Sequence, residues 1–237
     1  GILLGSGTSA ITAMSALAKG SIVAGDGATD PVALAVGTNN YVLTADSGET
    51  SGLKWAESAG GNSTLVSTVA AAAQTTISFT GLDSTVAAYE FDLVLHPSAD
   101  SVYLDMIVGT GSTSYVTSGY GWSNFGNRAN SSTYAAQNNT SASSMHIGET
   151  QSTNNLGTDA GEGINARVIF IPQSGDASYP RFFWSGAMLG EDAYTSVVFS
   201  GSGSVLSATA VTAVQFGLTG AGNFAGGYVT LRSYSKT

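Results

Sequence analysis

Three acidic residues have types and spacing that glycoside chemistry could use. Glu90 and Asp92 are two residues apart in an alternating segment, so their side chains point to the same face of a strand. Asp105, in the next alternating segment, could lie beside them, and two facing carboxylates can act as general acid and base on a glycosidic bond. The alternative is a solvated strand face. We expect that alternative, and predict that the chain is not an enzyme, because no apolar pocket that would raise a carboxyl pKa can be identified.

Metal and nucleophile chemistry have less support. The chain has no cysteine and two histidines, His96 and His146, and only Asp100 and Glu149 follow them closely. A zinc site needs three or four converging ligands. No G-x-S-x-G elbow and no phosphate-cradling GK[ST] loop occurs in the sequence. We therefore predict no metal site and no cofactor.

The strongest binding candidate is the segment 123–155, which is rich in Asn, Ser and Thr and has aromatic residues beside and within it. Sugars bind by stacking on aromatic rings and by hydrogen bonding to amides and hydroxyls, and loops of a rigid β-scaffold commonly carry such groups. The candidate glycan or receptor residues are Tyr120, Trp122, Asn124, Phe125, Asn127, Tyr134, Asn138 and Asn139. The alternative is that the aromatic side chains fill the core while the Asn residues cap turns, since Tyr120 and Trp122 alternate within a predicted strand.

Composition limits the possible partners. The 237 residues include 7 basic and 16 acidic side chains, for a formal net charge of −9, which argues against nucleic acid and against an anionic membrane surface. No run of 18 apolar residues occurs, so no membrane insertion is expected. A hydrophobic content of 43% with only 10% charged residues does not suit a disordered chain.

Period-two alternation organises the larger part of the chain. Apolar residues recur at every second position in 89–95 and again in 102–108, and residues 97–100 between them are turn formers that predict a hairpin-type loop. Further short alternating runs follow up to residue 234, and no amphipathic helix is visible. These patterns predict an all-β fold, an antiparallel, jelly-roll-like β-sandwich.

Residues 1–58 have a different pattern, with short apolar pairs between turn residues. Ile2-Leu3-Leu4-Gly5-Ser6-Gly7 aligns with Ile22-Val23-Ala24-Gly25-Asp26-Gly27, which indicates a repeat of about 20 residues. Such a segment cannot build a globular core, and repeated slender units commonly wind around other copies of themselves. We predict an extended fibre shaft at 1–58, a linker at 59–63 and a β-sandwich knob at 64–237.

Residues 20–56 resemble the connector module of tail fibres and other fibrous virion proteins of tailed bacteriophages. The matching residues are Gly25, Gly27, Val36, Gly37, Thr38, Val42, Leu43, Thr44, Ala45, Asp46, Gly52, Leu53, Lys54, Trp55 and Ala56. Asn40 stands where that family usually has Gly, and Asn tolerates the positive φ of a tight turn.

The rest of the chain is similar to the globular C-terminal domains of the same group. The similarity lies in Ile77-Ser-Phe79-Thr-Gly81, in Ser118-Gly-Tyr120-Gly-Trp122 and in the segment 210–231, although Leu231-Arg232-Ser233 replaces the usual Leu-Tyr-Gly ending.

The resemblance implies a structural fibre protein of a tailed-phage virion, assembled in the host cytoplasm and located at the tail or capsid surface. It implies a homotrimer that joins other virion proteins through its N-terminal segment. We expect a tail fibre that attaches to host-surface polysaccharide. The alternatives are a capsid decoration or head-fibre protein, a tail adaptor that binds only virion proteins, and a glycan-cleaving tip.

Overall fold

The computed structural model describes residues 2–4, 11–27, 30–57, 62–129, 134–148, 155–159, 161–172, 179–190, 196–206, 210–220 and 222–236. Within these residues the chain is all-β, as predicted: it contains no helix, and its strands pair antiparallel. The chain divides into two compact units, Gly1–Gly61 and Asn62–Thr237. Most of the predicted linker, residues 59–61, lies outside the described residues.

The first unit has three two-stranded hairpins among its described residues. They pair β1 (Leu3–Leu4) with β2 (Thr12–Ala13), β3 (Ile22–Ala24) with β4 (Val32–Leu34), and β5 (Tyr41–Ala45) with β6 (Leu53–Glu57). Leu3 pairs with Ala13 in the first hairpin, and Val23 pairs with Ala33 in the second. The second pair therefore lies 20 residues after the first, which is the length of the sequence repeat. Residues 5–7 of the first repeat copy lie outside the described residues.

The third hairpin is held by side chains from the connector-like motif. The Trp55 indole N–H donates to the Ala35 carbonyl at 2.7 Å, and its ring covers Gly37, where a methyl group would lie 2.5 Å from Trp55 Cγ. Across the hairpin, Lys54 Nζ lies 2.5 Å from Asp46 Oδ2, and this contact is the main cause of a lowered pKa of Asp46. The motif residues therefore stabilise one local element.

The first unit lacks a hydrophobic core among its described residues. Among residues 2–4, 11–27 and 30–57, Ala24 is the one buried apolar residue, and none of them belongs to the molecule's core cluster. Large apolar side chains of these residues are instead exposed: Ile2, Leu3, Ile11, Leu17, Val36, Val42 and Leu43. A two-stranded hairpin in water is marginally stable at best, so these hairpins depend on something other than their own burial.

The second unit consists of two antiparallel sheets. The small sheet contains β8 (Thr76–Thr80), β10 (Leu104–Gly109), β13 (Met145–Ile147) and β17 (Ala213–Leu218), in the order β13-β10-β17-β8. The strands of the large sheet are β7 (Ser63–Ala70), β9 (Ala88–Pro97), β11 (Tyr120–Arg128), β12 (Tyr134–Ala142), β14 (Gly163–Ile171), β15 (Arg181–Leu189), β16 (Ser196–Val205) and β18 (Phe224–Tyr234). Their order is β12-β11-β16-β15-β14-β9-β18-β7.

The two sheets face each other across a common aromatic core, which is a sandwich-like arrangement. The ring of Phe91 in β9 lies 5.2 Å from that of Phe79 and 5.4 Å from that of Phe216, both in the small sheet. Phe170 and Phe182 stack within the large sheet at 4.7 Å. The predicted alternation along β9 is confirmed, because its inward-facing residues are buried.

Two sequence-based expectations about connections are wrong. Residues 97–100 do not close a hairpin: β9 belongs to the large sheet and β10 to the small one, so the chain crosses between sheets there. The segment 123–155 was expected to carry binding loops, but β11 continues to Arg128 and the strands β12 and β13 follow within it. β12 is an edge strand, and Ala135 is its one buried side chain. Its other residues can therefore be polar, and such a polar composition is typical of a loop.

Candidate functional site

Three of the predicted glycan-binding residues have buried side chains and build the core instead. Tyr120 is fully buried, its hydroxyl accepts from Val108 N at 2.9 Å, and burial raises its pKa to about 12. Trp122 is 7% exposed, and its ring stacks on His146 at 4.9 Å. Asn124 is 3% exposed. For Tyr120 and Trp122 the core alternative considered from the sequence is correct, because they alternate inward along β11. Asn124 is buried in the same strand and does not cap a turn, as that alternative expected of the Asn residues.

Asn124 has a structural role that follows from its position. Its Oδ1 accepts a hydrogen bond from Trp184 Nε1 at 2.5 Å, and its Nδ2 donates to the His146 carbonyl at 2.9 Å. A buried amide is costly unless it is hydrogen-bonded, and these two bonds satisfy it. Asn124 therefore links β11 to β15 and β13.

The other predicted residues lie in β11 or β12, and several face outward. Phe125 and Tyr134 are 49% and 60% exposed, and their rings stack at 5.0 Å. Asn127 pairs with Tyr134 across the two strands, and the exposed Asn138 pairs with Ser123, so both lie on the same face as the aromatic pair. The eighth, Asn139, is exposed, and its Oδ1 accepts from Ser141 N at 2.9 Å.

This face continues onto β16, where serine and glycine alternate from Ser200 to Ser204. The serines at 200, 202 and 204 point away from the core. The intervening glycines point inward, where a methyl group on Gly201 would overlap Trp184 Nε1 and Asn124 Oδ1. The glycines therefore make room for the Trp184 ring. We call the side of the large sheet that points away from the small sheet the outer face.

A groove of about 480 Å³ lies on the outer face, across β11, β16 and the start of β15. Gly121 on β11, opposite Ser204 in the sheet, has no side chain to fill the groove, and Tyr179, Arg181 and Phe183 line it in or beside β15. Residues with side chains suited to bind a ligand there are Ser123, Tyr179, Arg181, Phe183, Ser202 and Ser204. Pockets for small ligands in proteins have volumes of roughly 300–1,000 Å³.

The acidic residues considered for glycoside chemistry are arranged differently from what the sequence suggested. Glu90 and Asp92 do share a strand face, but Arg167 Nε lies 2.9 Å from Asp92 Oδ1 and 3.6 Å from Glu90 Oε2. Asp105 is not beside them, because β10 is in the small sheet. The three carboxylates therefore do not form one site.

The two histidines belong to separate polar contacts. His96 Nδ1 is 2.9 Å from the Glu162 carbonyl, and His146 Nε2 is 3.3 Å from Asp105 Oδ1. Burial raises the pKa of Asp105, although His146 and a hydrogen bond from Ser144 Oγ partly oppose the shift. In the part of the chain that the structure describes, no three His, Asp or Glu side chains are grouped so that they could hold a metal ion.

Tyr179, Arg181, Phe183 and the serines that line the groove are not among the binding residues predicted from the sequence, although the sequence contains two signals for them. Phe182 and Trp184 alternate with Arg181 and Phe183 along β15, so the burial of the first two puts Arg181 and Phe183 on the outer face. The Ser-Gly alternation of 200–204 is a second signal, because period two in a strand separates the two faces. Neither signal shows that β11 and β15 flank β16, and that adjacency creates the groove.

No protein-family model, curated protein or solved structure matches this chain. Among the described residues, no helix has the length and apolar character needed to cross a membrane.

Proposed function

We propose that this chain is a structural fibre protein of a tailed-bacteriophage virion, a tail fibre that attaches the particle to a glycan on the host surface. The observation that carries the proposal is the first unit, where two hairpins repeat in matching register and large apolar side chains are exposed. A segment built in this way needs partners, and the connector-like motif of residues 20–56 is typical of fibrous virion proteins.

Self-association gives this unit the core that a single chain lacks. Fully burying a Val, Leu or Ile side chain contributes about 1.5–3 kcal/mol. Rotational symmetry brings the same residues of every copy to a common axis, so one repeating pattern can be buried along the whole shaft. We infer a homotrimer in which residues 1–58 form the shaft, attached to other virion proteins, and residues 64–237 form the jelly-roll-like knob.

The outer face of the knob supports attachment to a glycan. It combines the stacked rings of Phe125 and Tyr134 with outward serine hydroxyls on β16, and sugars use both kinds of contact. We favour a tail fibre over a capsid decoration protein or an adaptor, because an exposed aromatic and hydroxyl-rich surface suits a sugar better than an apolar protein partner. Three weak contacts on one trimer would act together through avidity.

Cross-linking through a single introduced cysteine tests the shaft directly, since the chain has none of its own. Leu43→Cys lies in the third hairpin, and Val198→Cys, which is 64% exposed on the knob, is the matched control. We expect oxidation at micromolar concentration to convert L43C largely to covalent dimers, because two of three thiols near an axis can pair. V198C should form few covalent dimers under the same conditions, because its thiols lie away from the shaft through which the chains associate. Equal yields from the two variants would contradict the proposal.

A further inference from the structure

The groove on the outer face has a chemistry that differs from the rest of that face. Tyr179 and Phe183 leave 47% and 44% of their surface exposed beside it. The floor is formed by small residues, and the hydroxyls of Ser202 and Ser204 come from adjacent outward positions of β16. In the sheet, Ser202 lies between Ser123 and Phe183, so a hydroxyl-bearing strip borders an aromatic ring.

This combination fits a sugar ring better than an apolar ligand. An aromatic face can cover the C–H face of a pyranose, while serine hydroxyls both donate and accept hydrogen bonds with sugar hydroxyls. A purely hydrophobic ligand would leave the serines without partners, and unpaired polar groups reduce affinity when they are desolvated. A nucleic acid is disfavoured because Arg181 is the one basic side chain among the described residues that line the groove, and binding a phosphate backbone needs several.

Arg181 adds a charge requirement. Its side chain is exposed and lines the groove, and its guanidinium group makes no hydrogen bond or ion pair with any residue that the structure describes. Arg167, on the next strand of the same sheet, is in contrast held by Asp92 and Glu90. The guanidinium group presents a planar fork of donors that matches a carboxylate with two parallel hydrogen bonds. An unpaired arginine beside hydroxyls and aromatic rings favours an anionic sugar.

We infer that the groove binds a carboxylate-bearing sugar of a surface polysaccharide, with Arg181 on the carboxylate, Tyr179 and Phe183 against the ring, and Ser202 and Ser204 on hydroxyls. The inference deepens the proposed attachment function and rests on it. It predicts a preference for acidic over neutral saccharides of the same ring size.

Saturation-transfer NMR on the full chain tests the inference with defined probes. The acidic probes are trigalacturonate, a glucuronate disaccharide and N-acetylneuraminic acid, and galactotriose is the neutral comparison. We expect at least one acidic probe to bind about tenfold more tightly than galactotriose. Arg181→Gln should remove that advantage, since charge-assisted hydrogen bonds are lost. Arg181→Lys should restore part of it, because the charge remains without the fork.

Substitutions of aromatic residues distinguish binding in the groove from nonspecific binding elsewhere on the sheet. Phe183→Ala should weaken binding of acidic and neutral probes together. Tyr228→Ala, which removes a ring that is 45% exposed in β18 of the same sheet, should change neither. Binding that ignores R181Q and F183A, or the absence of binding by all three acidic probes, would overturn the inference. Cross-linking through Leu43→Cys reports on the fibre independently, so failure of the groove and failure of the proposed function are distinguishable.

Discussion

At the scale of single residues, burial decides which polar groups remain available to a ligand. Asn124 is buried, and both polar atoms of its amide are hydrogen-bonded, Oδ1 to Trp184 Nε1 and Nδ2 to the His146 carbonyl. Asp105 is also largely enclosed, and although His146 Nε2 lies 3.3 Å from its Oδ1, that oxygen makes no hydrogen bond with any described residue. The carboxylate is therefore imperfectly compensated, and desolvation dominates the rise in its pKa.

This imbalance predicts a pH-dependent effect of Asp105→Asn. The pKa of Asp105 in the folded chain is raised above its ordinary value of 3.8, so the folded state holds this proton more tightly than the unfolded state. The protonated Asp105 therefore makes its full contribution to the free energy of unfolding below pH 3.8. That contribution is lost as the pH rises through the folded-state pKa. The asparagine of D105N stays neutral. The free energy of unfolding of D105N, relative to that of the wild type, should therefore increase as the pH rises.

Urea denaturation of both proteins at pH 4 and pH 8 measures this difference. A larger advantage of D105N at pH 8 is expected. An advantage that shrinks with rising pH would show that the surroundings of Asp105 stabilise the ionised carboxylate more than its burial penalises it.

At the scale of the elements, the side chains that β16 presents on the outer face depend on the space that its inward-facing residues must leave for the core. β16 can present serines outward because glycines at the alternate positions leave space for the Trp184 ring and for Met145. The third hairpin uses the same principle, since Gly37 leaves space for the Trp55 ring. Asn40 has a φ of 70°, so the departure from Gly at that position keeps the left-handed turn before β5.

Gly201→Ala tests this packing. The added methyl group would overlap Trp184 Nε1 and Asn124 Oδ1, so the variant should be destabilised by about 1–3 kcal/mol, as overpacked core positions commonly are. Gly226→Ala in β18 is the matched control, because nothing lies within 4 Å of the added group. Urea denaturation of both variants measures the effect, and equal stability of the two would mean that Trp184 is not confined as described.

Some elements could be predicted from the sequence, and others could not. The strict alternation of Phe91, Leu93 and Leu95 predicted β9, because a half-buried strand requires it. The turn formers of 97–100 showed where the chain bends but not which sheet it enters next. The polar sequence of β12 is typical of a loop, because an edge strand with one neighbour buries few side chains. The groove depends on which strands are adjacent, which local patterns do not encode.

At the scale of the whole molecule, the two units differ in how they are stabilised. The unit of residues 62–237 encloses a continuous core with aromatic contacts between its sheets. The unit of residues 1–61 has hairpins held by local contacts such as that of Asp46 with Lys54, and large apolar side chains such as Leu3 and Ile11 are exposed. This difference leads us to propose that assembly is a property of the first unit.

The mass in solution, measured by light scattering for the full chain and for residues 62–237 alone, tests this central claim most directly. We predict that the full chain has three times its 23.8 kDa mass and that the shorter chain is a monomer. A full chain that remains at 23.8 kDa over the whole concentration range would contradict the fibre account.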